Sequence, residues 1–124
     1  MIYLDTHVAA WLYAGETELI SPRARALIEQ EELRVSPLVS LELEYLREIG
    51  RLTASGRSVM RALTTKLGVQ VCDVPLQKVI DSAMDQTWTR DPFDRLIVGH
   101  AAAASSILVT KDRSIRKHYR RAVW

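Results

Sequence analysis

The stretch that most constrains this chain runs from Leu96 to Val109, where His100 is the only titratable side chain and four consecutive alanines occupy positions 101 to 104. A segment so poor in charge belongs to the interior. Charge is concentrated at both of its ends, in Arg90-Asp91-Pro92-Phe93-Asp94-Arg95 on one side and Thr110-Lys111-Asp112 on the other. Carboxylates held at the ends of an interior segment lose hydration unless a cation or strong donors replace it. Any fold for this chain must therefore give those acids a partner.

Composition sets the frame for that problem. The 124 residues suit one domain, spanning 1–124, and 48% hydrophobic with 26% charged residues is ordinary for a soluble globular protein. The uncharged run is too short and too weakly apolar for a membrane span, and the start Met1-Ile2-Tyr3-Leu4-Asp5 is unlike a secretory signal. Cytoplasmic residence without membrane association is the default expectation. The single cysteine, Cys72, lies in an apolar setting and reads as a buried strand residue. Between Lys111 and Arg121 six basic residues and His118 are opposed only by Asp112, a one-signed cluster suited to a polyanion.

In chain order, Met1 to Leu4 reads as a strand that runs into Asp5-Thr6, and a helix follows through Val8, Ala9, Trp11 and Leu12 to about Gly15. Asp5 can cap that helix, line a crevice at the strand's carboxyl end, or do both. Ser21-Pro22 starts a second helix, with Ile20, Ala24, Leu27 and Ile28 on one face. Leu33 to Ser36 reads as a strand halted by Pro37. The next helix, from about Leu38 to Ile49, is expected to pack through Leu38, Leu41, Tyr45, Leu46 and Ile49, with Glu42 inside that face. An inward glutamate pairs with an arginine or joins the site of Asp5.

A further helix is expected around Val59, Met60, Leu63, Thr64 and Leu67, with Arg57, Arg61 and Lys66 as surface positions. Val69 to Val74 reads as the clearest strand, ended by Pro75. The helix after it is expected to pack through Leu76, Val79, Ile80, Ala83 and Met84, and neither Asp73 nor Asp85 has the placement of a ligand. Asp91-Pro92 opens a helix packed through Phe93, Leu96, Ile97, Ala101 and Ala104, whose alanines allow close approach to a sheet. Ile107 to Val109 is an interior strand, Arg113 to Tyr119 a short basic helix, and 122–124 an edge strand.

Alternating strands and helices predict a three-layer α/β/α domain with a mainly parallel central sheet. Parallel crossovers then carry Asp5, Glu42, Asp94 and Asp112 toward one sheet edge. Four such carboxylates repel one another unless cations intervene, and an all-oxygen set favours Mg²⁺ or Mn²⁺ over Zn²⁺. A divalent ion there can activate a water and neutralise a phosphodiester under attack, while Arg95 or the 111–121 segment holds phosphate. Residue chemistry alone leaves RNA, DNA and small phosphate esters open as substrates. It equally leaves open a catalytically inactive RNA- or protein-binding module.

The combination of Ile2-Tyr3-Leu4-Asp5-Thr6-His7, Val35-Ser36-Pro37 through Glu42-Leu43, Arg90 through Ile97, and Leu108 through Asp112 resembles PIN-domain ribonucleases, specifically the VapC-type toxins of bacterial toxin–antitoxin pairs. The resemblance extends over nearly the whole chain. It implies a metal-dependent endoribonuclease that hydrolyses RNA with Mg²⁺ or Mn²⁺, with Asp5, Glu42, Asp94 and Asp112 as the acidic set. Asp91 becomes a ligand, a water-mediated ligand or a helix cap. Thr6 and Thr110 would support the carboxylates, while Arg95, Lys111, Arg113, Arg116 and Lys117 are the expected RNA contacts. A homodimer and a cognate antitoxin are the expected partners. Val98-Gly99-His100 departs from the pattern, since alanine and glutamine are more usual near its last two positions; a core or polar packing role is expected for His100.

Overall fold

The computed structural model describes all residues from Met1 to Trp124. Five parallel strands, β1 (Ile2–Leu4), β2 (Leu33–Val35), β3 (Gln70–Val71), β4 (Ile107–Val109) and β5 (Ala122–Val123), lie in the order β3-β2-β1-β4-β5. The helices are α1 (Thr6–Ala14), α2 (Pro22–Gln30), α3 (Pro37–Glu48), α4 (Gly56–Leu67), α5 (Leu76–Met84), α6 (Pro92–Ala103) and α7 (Arg113–His118). They complete the expected three-layer α/β/α arrangement. No helix is long and apolar enough to cross a membrane.

Strand β1 sits at the centre, in register with β2 through Ile2 opposite Leu33 and with β4 through Ile2 opposite Ile107. The chain adds β2 and β3 on one side of β1, then returns to add β4 and β5 on the other. That reversal places a crevice beyond the carboxyl ends of β1 and β4, where open parallel sheets bind ligands. The strands are short, yet Ile2, Tyr3, Leu4, Leu108 and Val109 are buried because helices cover both faces.

Helix starts follow local chemistry. Asp5, Ser21, Ser36, Asp91 and Asp112 each accept a backbone N–H in the first turn of α1, α2, α3, α6 and α7, and proline opens α2, α3 and α6. His100, buried on α6, places Nδ1 3.0 Å from the Leu96 carbonyl and 2.9 Å from Ser36 Oγ. Burial lowers the ring's proton affinity and keeps it neutral. His100 thus ties α6 to the cap of α3, in a polar packing position.

Four expectations change. Helix α3 packs through Val39 and Leu43, whereas Leu41, Tyr45 and Ile49 are exposed. Helix α5 buries Val79 and Ala83 but leaves Leu76, Ile80 and Met84 exposed, and α4 likewise leaves Thr64 and Leu67 outside its buried face. The strand expected over 69–74 contracts to Gln70–Val71. Helix α6 approaches α5 closely at Gly99, where a Cβ would stand 3.0 Å from both Ala83 Cβ and Val79 O. Gly56 has the same role against α3, with Ser40 O only 2.5 Å from the position a Cβ would take.

Candidate metal centre

Asp5 leaves the end of β1 and is 4% exposed. Its Oδ1 accepts the Thr6 N–H at 2.8 Å and its Oδ2 accepts the Thr110 hydroxyl at 2.5 Å. Thr110 Oγ1 in turn accepts the Asp112 N–H at 3.0 Å. The ends of the two strands that flank the topological reversal are therefore wired together, from the Asp112 amide through the Thr110 hydroxyl to the Asp5 carboxylate. Asp112 Oδ1 caps α7 by accepting the Ile115 N–H at 2.9 Å.

Helices supply the other acids. Asp91 caps α6, its Oδ1 accepting the Asp94 N–H at 3.1 Å, and Asp94 stands in the first turn of the same helix. Glu42 lies in the second turn of α3, half-buried. Asp94 has its proton affinity pushed up to about 7, first by burial and then by the charges of Asp91, Asp112, Asp5 and Glu42. One carboxylate thus feels all four other acids of the expected set. Glu42 is raised as well, mainly by burial and further by Asp5 and Asp91, while Thr6 and His7 act in the opposite direction.

The Thr6 hydroxyl stands near enough to Glu42 to favour its charged form, but the two do not close to a hydrogen bond. Thr6 Oγ1 is buried without a partner. An orphaned hydroxyl among carboxylates that resist ionisation is an environment short of positive charge. None of the three ion pairs in the molecule, Met1–Glu31, Arg34–Asp73 and Arg47–Glu44, reaches these acids. In kind, the donors fit a hard divalent cation, all oxygen and without cysteine. In arrangement, no three ligand-type side chains close into a ligating group.

Of the expected phosphate contacts, Lys111, Arg113, Arg116 and Lys117 are exposed. Lys111 Nζ lies 5.8 Å over the Trp11 ring. Arg95 is differently engaged: Nε donates to Ala83 O at 3.1 Å and Nη2 to Met84 O at 3.3 Å, which satisfies carbonyls at the end of α5. Neither His7 nor Trp11 stands among the expected site residues, yet they lie four apart on α1 beside this site; that spacing is the signal by which the sequence could have found them. Two clefts of about 540 and 550 Å³ lie elsewhere, one beside Ser105, Arg120 and Arg121, the other between α3 and α4.

A 3-2-1-4-5 parallel sheet with acids gathered beyond its central strands defines a class of α/β protein, one with an acidic site at the point where the strand order reverses. Residues 2–121 match the PIN domain. Ribonuclease VapC22 of Mycobacterium tuberculosis is 30% identical over 120 residues, covering 94% of this chain and 91% of that protein. The chain belongs to the PIN-domain family and is related to the VapC-family toxins of type II toxin–antitoxin systems. Two solved structures share its fold. VapBC2 from Rickettsia felis, bound to a DNA fragment from their promoter, aligns with a TM-score of 0.65 at 17% identity, covering 100% of this chain and 98% of that one. A toxin–antitoxin complex from Klebsiella pneumoniae aligns with a TM-score of 0.69 at 15% identity, covering 100% and 97%.

Proposed function

We propose that the chain, acting as one nuclease domain over 1–124, is a divalent-metal-dependent endoribonuclease and the toxin of a toxin–antitoxin pair. The observation that carries this reading is the convergence of four other carboxylate charges on Asp94. Asp5, Glu42, Asp94 and Asp112 would hold Mg²⁺ or Mn²⁺, with Asp91 as an adjacent ligand or as the cap of α6. When bound, the ion supplies Lewis acidity toward water and toward the phosphodiester. Thr110 fixes Asp5 from behind, so the carboxylate need not reorganise as charge develops. The unpartnered Thr6 hydroxyl is available to hold Glu42 or a water. Lys111, Arg113, Arg116 and Lys117 orient RNA through its phosphates.

The test is cleavage of single-stranded RNA by purified protein in Mg²⁺ or Mn²⁺, with EDTA as the control. Asp5→Asn and Asp94→Asn are each expected to lose most cleavage while remaining folded. Wild-type rates in both folded variants would refute the assignment. A second reading is favoured by the open spacing of the acids: a non-catalytic module that binds RNA or protein. Salt-sensitive RNA binding without products in either metal would support it. Competition with DNA and small phosphate esters separates a ribonuclease from other metal-dependent phosphate hydrolases.

Tyr45 and Ile49 on α3 and Leu76, Ile80 and Met84 on α5 are exposed on the two helices that flank α6, where Tyr45 stacks on Phe93 at 6.3 Å. So much uncovered apolar surface supports a homodimer. Light scattering after size exclusion is expected to give twice the chain mass, and a monomer at all working concentrations would refute it. The toxin reading also implies a cognate antitoxin. Co-expression of that partner is expected to relieve growth arrest and to co-purify with this chain.

A further inference from the structure

We propose that His7, backed by Trp11, is a stacking platform for a base of single-stranded RNA next to the phosphate presented to the carboxylates, and that Lys111 meets the neighbouring phosphate; this rests on the ribonuclease reading above. His7 follows Asp5 and Thr6 directly and is exposed in the first turn of α1. Asp5 and Thr6 are buried at the end of β1, so His7, the next residue, is the first exposed position beside the acidic site. The imidazole lies 6.1 Å from the Trp11 ring at 57°, and Trp11 lies 5.9 Å from Trp124 at 53°. Lys111 Nζ stands 5.8 Å over Trp11. Three rings therefore form a tilted row, with an ammonium over the middle one and a free imidazole at the end nearest the acids.

Folding demands account for the inner rings but not for the outer one. Trp11 and Trp124 pack against the core. The Nδ1 atoms of His100 and His118 each lie within hydrogen-bonding distance of a carbonyl, and His118 also stacks on Trp88. His7 is exposed, with the Trp11 ring tilted beside its imidazole. A duplex cannot use such a ring, since its bases are already stacked on one another. A single strand can, because every base offers a π surface and its phosphates follow at short intervals. The cation needed for those phosphates is already in place at Lys111. An RNA base is favoured over a protein side chain because the platform is continuous with both the acidic site and the basic 111–121 segment.

The experiment measures affinity without turnover. A labelled oligoadenylate octamer and an abasic ribose-phosphate octamer of equal charge are titrated into the full chain in EDTA, for the parent, His7→Ala, His7→Phe and His7→Lys. Base stacking on an aromatic ring is worth roughly 1–3 kcal/mol, with imidazole toward the lower end, so His7→Ala should weaken oligoadenylate binding about 5- to 30-fold. Abasic binding should be unchanged, and His7→Phe should restore affinity where His7→Lys does not. An unchanged oligoadenylate affinity, an equal loss on the abasic strand, or rescue by lysine alone would overturn the platform. Cleavage in Mn²⁺ is scored separately. Ring-dependent binding without products supports the platform and sinks the nuclease reading, whereas cleavage without ring dependence does the reverse.

Discussion

Asp94→Asn should stabilise the metal-free protein near neutral pH while abolishing cleavage. In the parent, burial and four like charges raise the Asp94 carboxyl from its ordinary value near 4 to about 7. Its folded pKa thus exceeds its unfolded one, so its favourable contribution is complete below about pH 4 and is lost as pH rises through about 7. At roughly 1.4 kcal/mol per unit the gross effect approaches about 4 kcal/mol. Asp94 is only half-buried, and solvent screening reduces this to about 1–2 kcal/mol. A negative charge in the first turn of α6 also gains roughly 0.3–1 kcal/mol from the helix dipole, which asparagine forfeits. The net gain expected for the variant at pH 8 is about 1 kcal/mol.

For 124 residues that corresponds to a rise in Tm of about 4 °C. The assay is thermal unfolding in EDTA at pH 4 and pH 8, repeated with Mn²⁺. Parent and variant should melt together at pH 4 and separate at pH 8, with the variant higher. Mn²⁺ should raise the parent more than the variant, because an ion that binds only the folded state stabilises in proportion to its occupancy. Equal melting temperatures at pH 8 in EDTA, or a parent that melts higher there, would refute the premise that these acids crowd one another.

Thr110→Val removes the hydroxyl that bonds Asp5 and leaves the Asp112 N–H without its acceptor; a loss of about 1–3 kcal/mol is expected in urea unfolding, with Thr110→Ser close to the parent. Gly99→Ala sets helix propensity, a gain of about 1 kcal/mol, against overpacking on Val79 and Ala83 of about 1–3 kcal/mol, so a net loss is expected and a higher Tm would contradict it. Arg95→Ala should lower stability by about 1 kcal/mol through the carbonyls at the end of α5 and leave RNA affinity unchanged, whereas Lys111→Ala should lower affinity and flatten its salt dependence.

Local chemistry makes the helix starts legible in the amino-acid order itself. A serine or aspartate accepts nearby N–H groups, and a proline after it has no N–H to lose, so Ser21-Pro22 and Asp91-Pro92 announce themselves, while Ser36-Pro37, read from the sequence as a strand end, is the cap and first residue of α3. What local chemistry does not reach is set by distant partners. Val69 to Val74 has strand composition throughout, but β3 is an edge strand with β2 as its one neighbour. Strand β2 ends at Val35 because Ser36 and Pro37 begin α3, so the ladder available to β3 runs out. The N–H of Cys72 still reaches Val35 O at 2.8 Å, and beyond it no partner remains. A strand's length depends on its neighbour's, which no local window contains. The tie between Asp5 and Thr110 has the same character, since it spans 105 positions.

Helix α3 shows why a mistaken face can leave a site residue in place. Its sequence carries two apolar stripes, Val39 with Leu43 and Leu41 with Tyr45, centred roughly 160° apart around the helix, and periodicity cannot rank them. The sheet accepts the first, and the second is left exposed beside α6. Glu42 adjoins both stripes, one residue before Leu43 and one after Leu41, and it sits four residues from half-buried Leu38 and Leu46. With Val39 and Leu43 packed inward, Glu42 lies roughly 80° from the centre of the buried stripe, at its margin, where its carboxylate is partly stripped of water. A stripe on α3 left largely exposed and a glutamate that is only half covered are thus two results of one choice of helix rotation. Turning α3 to bury Leu41 and Tyr45 would expose Val39 and Leu43, and the core contact of those two residues is what holds Glu42 beside Thr6.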